Sequence, residues 1–259
     1  MIVYRHQLRS CEARGHICSF RGLCSRLEED KMDPELRKSR FALYLGNRGF
    51  FPGSLMESAR RELSARLEGL GHSVVMMDAE ATRFGAVETP AEGEVYARFL
   101  EVNKGRFDGV ILSLPNFGDE NGAVAALRDA GVPIFIQAYP DELAKMGPAD
   151  RRDAFCGRLS IMDVFYQNGI RFTALKPHTV APASDAFAAN ISHFDRVCRV
   201  VKALDRMVVG AIGARTSAFK TVRIDELALQ RNGITMETFD LSDLFARMAA
   251  VKVSCGEYL

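Results

Sequence analysis

No apolar run in the chain approaches the ~20 residues that a membrane-spanning helix needs, and the amino terminus lacks an apolar signal-peptide core. Charge of one sign is missing too. The 34 Lys and Arg against 33 Asp and Glu leave a net +1, which gives no ground for a nucleic-acid or membrane partner. The six cysteines include no CxxC pair, so the thiols are read as reduced and the protein as cytoplasmic. Cys11, Cys18 and Cys24 lie near His6 and His16, yet their spacings fit no common zinc pattern. GxGxxG, the GK[ST] phosphate loop, GxSxG, HExxH and a Ser–His–Asp order are all absent. Nor does any stretch gather the several carboxylates that a divalent cation needs.

What is present is a regular alternation that begins at Phe41. The apolar runs FALYL (41–45), SVVMM (73–77), GVILSL (109–114), VPIFIQ (132–137) and RFTAL (171–175) are short and do not alternate strictly in and out. Parallel strands covered on both faces read this way. Helical stretches separate them; in the first, Leu55, Ala59, Leu63, Leu67 and Leu70 recur at three- and four-residue steps and form one core-facing stripe. Gly71, Gly131, Gly169 and Gly233 close helices just before strands, where a left-handed exit is expected. The pattern predicts an α/β fold, a doubly wound parallel sheet of five strands with flavodoxin-like order over residues 41–183.

Residues 1–40 differ, being rich in Arg, Ser and Cys with only a faint helical period. They read as a disordered tail or as extra translated sequence upstream of a start near Met32; the acidic residues disfavour a transit peptide. After the first domain, 184–205 reads as a connecting helix. From 206 the strand–turn–helix pattern restarts with VVGAIG, and residues 206–259 read as the start of a second, incomplete α/β domain.

In an open α/β sheet, ligands collect beyond the carboxyl ends of the strands. The turns found there are LGNRGFFPGS (45–54), SLPNFGDENG (113–122), QAYPDE (137–142) and IGARTSAF (212–219). Arg48 is a candidate for binding a ligand, since a guanidinium donates hydrogen bonds in a fixed fork. Phe117 beside Asn116 offers an aromatic face for a sugar ring. Asp119 and Glu120 are read as first-turn residues that favour the helix dipole. Gln137 and Tyr139 face the same edge, and His178 is read as a packing or solvated loop residue.

The runs LYLGNRGFFPGS, RFDGVILSLPNFGDENG, VPIFIQAYP and VVGAIGARTSAFKTVRIDELALQRNGITMETFDLS resemble the amino-terminal half of L-fucose/L-arabinose isomerase-like proteins. The resemblance covers roughly 41–251, and the last run is its most specific part. It implies an oligomeric aldose–ketose isomerase that uses a divalent cation, commonly Mn2+, with ligands later than this chain reaches. It also implies that Arg48, and more approximately Phe117 with Asn116, contact a sugar held by a neighbouring subunit. Arg215 and Lys220 lie within the last run, with no role to transfer to them. The expectation is a homo-oligomer in the full-length form, and a chain that is inactive alone. A stand-alone sugar-binding or sensing module is the alternative reading; a flavin or nucleotide binder is disfavoured by the absent phosphate loop.

Overall fold

A computed structural model describes residues 3–4, 37–205 and 207–250. The strands are β1 (Val3–Tyr4), β2 (Arg40–Leu45), β3 (Ser73–Met76), β4 (Gly109–Leu114), β5 (Ile134–Ala138), β6 (Met207–Ile212) and β7 (Ile234–Phe239). The helices are α1 (Ser54–Gly69), α2 (Pro90–Val102), α3 (Glu120–Leu127), α4 (Ala154–Gln167), α5 (Asp185–Leu204), α6 (Glu226–Arg231) and α7 (Leu241–Ala250). The described residues fall into two compact units, 37–201 on the one hand and 3–4 with 202–205 and 207–250 on the other. Most of the expected leader, including the segment 6–24 with its Cys and His residues, lies outside the described residues.

The first unit is the expected parallel α/β layer, with strand order β3-β2-β4-β5. Its register pairs Leu43 with Met76 on one side and with Ile111 on the other, and Ile111 with Phe135. All residues of β4 and β5 are buried, as the lack of alternation in their sequences requires. The fifth apolar run departs from expectation. Residues 171–175 form no strand and touch β5 through one bridge, Phe135 to Thr173. Two backbone bonds hold that bridge, Thr173 N to Ile134 O at 2.7 Å and Ile136 N to Thr173 O at 3.1 Å. Pairing stops there, and the sheet closes at four strands.

Successive side chains of β2 point to opposite faces, and aromatic rings anchor a helix to each. On one face Phe194 of α5 stacks on Phe41 at 5.4 Å and lies 5.5 Å from Phe135. On the other, Tyr44 meets Tyr96 of α2 edge to face at 5.0 Å. Phe187, Ile191, Phe194 and Cys198 of α5 are all fully buried, so α5 is a core layer of the sheet. A Cβ on Gly109 would lie 2.5 Å from the Cys198 sulfur, so the missing side chain is what lets α5 approach β4. Burial, with the Asp108 and Asp195 carboxylates adding to it, pushes the Cys198 thiol up to about 12, which makes it an inert packing group. In α1 the expected stripe is kept by Ala59, Leu63 and Leu67, with Met56 joining it; Leu55 and Leu70 are partly buried. The four predicted helix exits, Gly71, Gly131, Gly169 and Gly233, all adopt positive φ.

The second unit pairs β6 with β7 in parallel over six positions, and β1 antiparallel to β6. None of its residues from 207 to 250 is buried, and Phe219, Leu227 and Phe245 are 60%, 66% and 60% exposed.

One titratable group is built into the first unit's core edge. His72 is 5% exposed, with its ring 4.9 Å from Phe41 and Nδ1 3.0 Å from the Ser39 carbonyl oxygen. Burial pulls its pKa below the ordinary 6.5, so folding favours the neutral ring. The unfolded chain then binds the proton first, and the stabilisation held above 6.5 falls away as the pH drops below that value. Urea midpoints measured between about pH 7.5 and about pH 5.5 should fall for the wild type and fall less for His72→Gln. Parallel curves for the two proteins would remove His72 from this role.

Candidate functional site

The strand order fixes where a ligand can sit. From β2 the chain runs through α1 to β3 on one side, then through α2 to β4 on the other side of β2. The connections therefore diverge at the carboxyl ends of β2 and β4, and a crevice forms at such a point. Residues 46–48 and 115–118 line it. Gly46 donates to the Ser113 carbonyl at 2.9 Å, and Asn47 N to the Val87 carbonyl at 3.0 Å. The second bond, with a parallel bridge between Gly46 and Val87, brings Glu88 alongside the first turn.

Behind the crevice lies a closed polar network. Asn47 and Asn116 are both fully buried. Asn116 Nδ2 donates to Asn47 Oδ1, Asn47 Nδ2 donates to a Glu88 carboxylate oxygen, and Gly118 N donates to Asn116 Oδ1 at 3.2 Å. Glu88 is held in turn by Arg83 at 3.4 Å. Gly118 sits at φ +77, where a Cβ would also be 2.6 Å from Leu114. The two turns are thereby locked side chain to side chain, and each side-chain polar atom of Asn116 has a partner in the network.

In front of the network lies a layer of rings and charges. Arg48 places its guanidinium carbon 4.5 Å from the centre of the Phe117 ring, and its Nη2 is 3.4 Å from Glu120 Oε2. The other Glu120 oxygen accepts from Ser160 of α4. Phe51 stacks on Phe117 at 6.1 Å, and Arg151 lies 5.8 Å above Phe51. Arg48 and Glu120 each keep about a quarter of the side chain exposed (27% and 26%). An aromatic ring, a donor fork and an acceptor carboxylate side by side suit a polyol, which has an apolar ring face and hydroxyls that both donate and accept.

Arg48 and Phe117 are thus in contact, and Asn116 lies beneath them. Asp119 is the N-cap of α3, accepting from Gly122 N at 2.7 Å, while Glu120 also pairs with Arg48. Gln137 is fully buried and spent on Ser113 and the Val180 carbonyl. Tyr139 donates to Glu62 at 3.0 Å, with Arg152 4.8 Å above its ring, and burial beside Glu62 raises its pKa. The His178 carbonyl accepts from Arg158, a buried guanidinium that also holds the Leu175 carbonyl at 2.9 Å. Arg215 turns back on the carbonyls of Thr216 and Ser217. The sequence reading missed Asn47, Glu88, Phe51 and Ser160. The Glu88 backbone is held by a variant capping box at Thr89, with Glu92 N donating to Thr89 Oγ1 at 3.3 Å and Glu88 N donating to Glu92 Oε2 at 2.7 Å.

No group of three His, Cys, Asp or Glu among the described residues is arranged to hold a metal ion. The acidic groups of the crevice are each engaged elsewhere, Glu88 by Asn47 and Arg83 and Glu120 by Arg48 and Ser160. These residues do not fit a manganese site.

Residues 42–205 match the family model described as fucose/sulfoquinovose isomerase, N-terminal domain, and the chain belongs to that family. No curated protein matches the chain. The run 208–220 lies beyond the matched residues.

The two layers predict different responses to mutation. Asn116→Ala strips a buried partner from Asn47 and should cost about 1–3 kcal/mol in urea unfolding, the penalty for an orphaned buried polar group. Arg48→Ala removes a partly exposed ion pair and should change stability by less than about 1 kcal/mol. Equal losses for the two variants would mean that the layers do not divide the work this way.

Proposed function

We propose that this chain is the amino-terminal portion of an aldose–ketose isomerase and that its crevice presents Arg48 and Phe117 to a sugar. The observation that carries this reading is the membership of residues 42–205 in the isomerase family, joined to the pairing of Arg48 with Phe117 at the switch point. In this reading the apolar face of the sugar packs on Phe117, and Arg48 swings off the ring to donate to hydroxyls. Leaving the ring and Glu120 is cheap, because an exposed cation–π contact and a part-exposed ion pair are each worth about 1 kcal/mol or less. Glu120, released, accepts from a hydroxyl, and Ser160 keeps its carboxylate in place. Asn116 and Asn47 stay still and fix the height of both turns.

The isomerisation itself moves a hydrogen between adjacent carbons of the sugar, a step the family supports with a divalent cation, commonly Mn2+. In this reading the ligands of that ion, and the groups that move the proton, come from outside this chain; the absence of a metal-holding group among the described residues supports it. Arg48 then completes a pocket carried by a neighbouring subunit, in a homo-oligomer of the full-length form. The protein works in the cytoplasm on a small-molecule sugar.

Two measurements test the reading. The chain alone, supplied with Mn2+ and an aldose such as L-fucose, should show no sustained ketose formation; turnover would sink the claim of dependence on further residues. Joined to a metal-bearing isomerase half that restores turnover, Arg48→Ala should lower kcat/KM roughly ten- to a hundredfold, for the loss of a charge-assisted contact of about 1.5–3 kcal/mol, with Tm nearly unchanged. An unaltered kcat/KM would make Arg48 an ordinary turn residue.

A further inference from the structure

The opposite end of the same sheet carries a second opening. A cavity of about 440 Å³ lies at the amino-terminal end of β5, between the end of α3, the segment 169–173 and α5. The segment 169–173 meets β5 through the single bridge at Thr173, and the residues before that bridge line the opening without pairing to the strand. Its apolar wall includes Leu127, Ile134, Ile170 and Val197, of which the first three are at most 7% exposed. Arg128 and Arg171 also line it. Arg128 Nη2 donates to Asn168 Oδ1, a neutral acceptor, at 3.3 Å. Among the described residues, neither arginine has a carboxylate partner.

We infer that this cavity binds a small amphipathic carboxylate, its head between Arg128 and Arg171 and its apolar body on Leu127, Ile134, Ile170 and Val197. Two guanidiniums without counter-charge beside an apolar wall select an anion, and the planar fork of each matches a carboxylate better than it matches a neutral hydroxyl. The volume falls within the ~300–1,000 Å³ range of small-molecule pockets. A neutral apolar ligand would leave both charges unanswered, and a polyanion would leave the wall uncovered. Since the strands run parallel, this site lies at the other end of β5 from the Arg48 turn, and the inference does not rest on the isomerase reading.

The probe is hexanoate, titrated calorimetrically into the full chain, with 1-hexanol as its uncharged counterpart. Hexanoate should give saturable binding, and 1-hexanol should bind at least about tenfold more weakly. Arg128→Gln/Arg171→Gln should weaken hexanoate roughly ten- to a hundredfold while the far-ultraviolet circular dichroism stays unchanged. Should that double variant fail to fold, Arg171→Gln alone, at an exposed position, should still weaken binding by about tenfold. Amide shifts on titration should move at 127–134 and 169–173. The inference is overturned by absence of saturable binding at millimolar hexanoate, by equal binding of 1-hexanol, by indifference to the arginine substitutions, or by shifts confined to residues 46–51.

Discussion

The amide-to-amide contact between Asn47 and Asn116 is the constraint on which the crevice depends. Both side chains are wholly buried at the point where two strands end and their connections part. A polar group without a partner there would cost about 1–3 kcal/mol, so the turns can exist only if each amide finds its complement. They do so through one another, with Glu88 closing one end and the Gly118 amide the other. The arrangement also forces the glycines. Gly46 and Gly118 both run within 2.7 Å, by their would-be Cβ positions, of the Leu114 side chain. Small residues, a buried amide pair and a captured carboxylate are therefore one device that brings two loops to a fixed separation.

The stiffness of that device comes from the layers beneath it. Phe194 wedges between Phe41 and Phe135, so α5 grips two strands that are not neighbours, with β4 between them. Edge-on or offset aromatic contacts add about 0.5–1.5 kcal/mol each beyond their buried area, which resists sliding of the strands. On the far face α2 and α3 approach closely, since a Cβ on Gly93 would lie 2.4 Å from the Gly122 carbonyl oxygen. Behind the turn that follows β4, Gly157 of α4 permits a similar approach to the backbone of Phe117. The ring that lines the crevice is thus set from below by Asn116 and from the side by α4.

Much of this was legible in the residues. Short unalternating apolar runs with glycine exits suffice for a parallel α/β layer, because coverage on both faces leaves no room for polar alternation. The turn after β2 and the turn after β4 were both marked as the place for a ligand, by position alone. The run 171–175 misled because its apolar content does not reveal that pairing would stop after Thr173; strand formation there depends on a neighbour, and β5 offers only one bridge. Glu88 and Ser160 escaped for a different reason. Their roles arise between segments 40 residues apart or more, Asn47 with Glu88 and Glu120 with Ser160, and no local periodicity encodes such meetings. The capping box at Thr89 placed the start of α2 but not what Glu88 would touch.

The two layers of the crevice have opposite relations to movement. Each side-chain polar atom of Asn47 and Asn116 has a partner inside the protein, so displacing them would strand buried donors. Arg48 and Glu120 meet in a contact that water can replace, with about a quarter of each side chain already exposed. A guanidinium resting on an aromatic ring is ordered but weakly held, so it reaches a ligand without first paying for a large disruption. In the proposed reading, selection of a polyhydroxylated ring rests on geometry, since Arg48 and Glu120 already answer each other's charge. In that reading a sugar finds a donor, an acceptor and an apolar face on a support that does not yield.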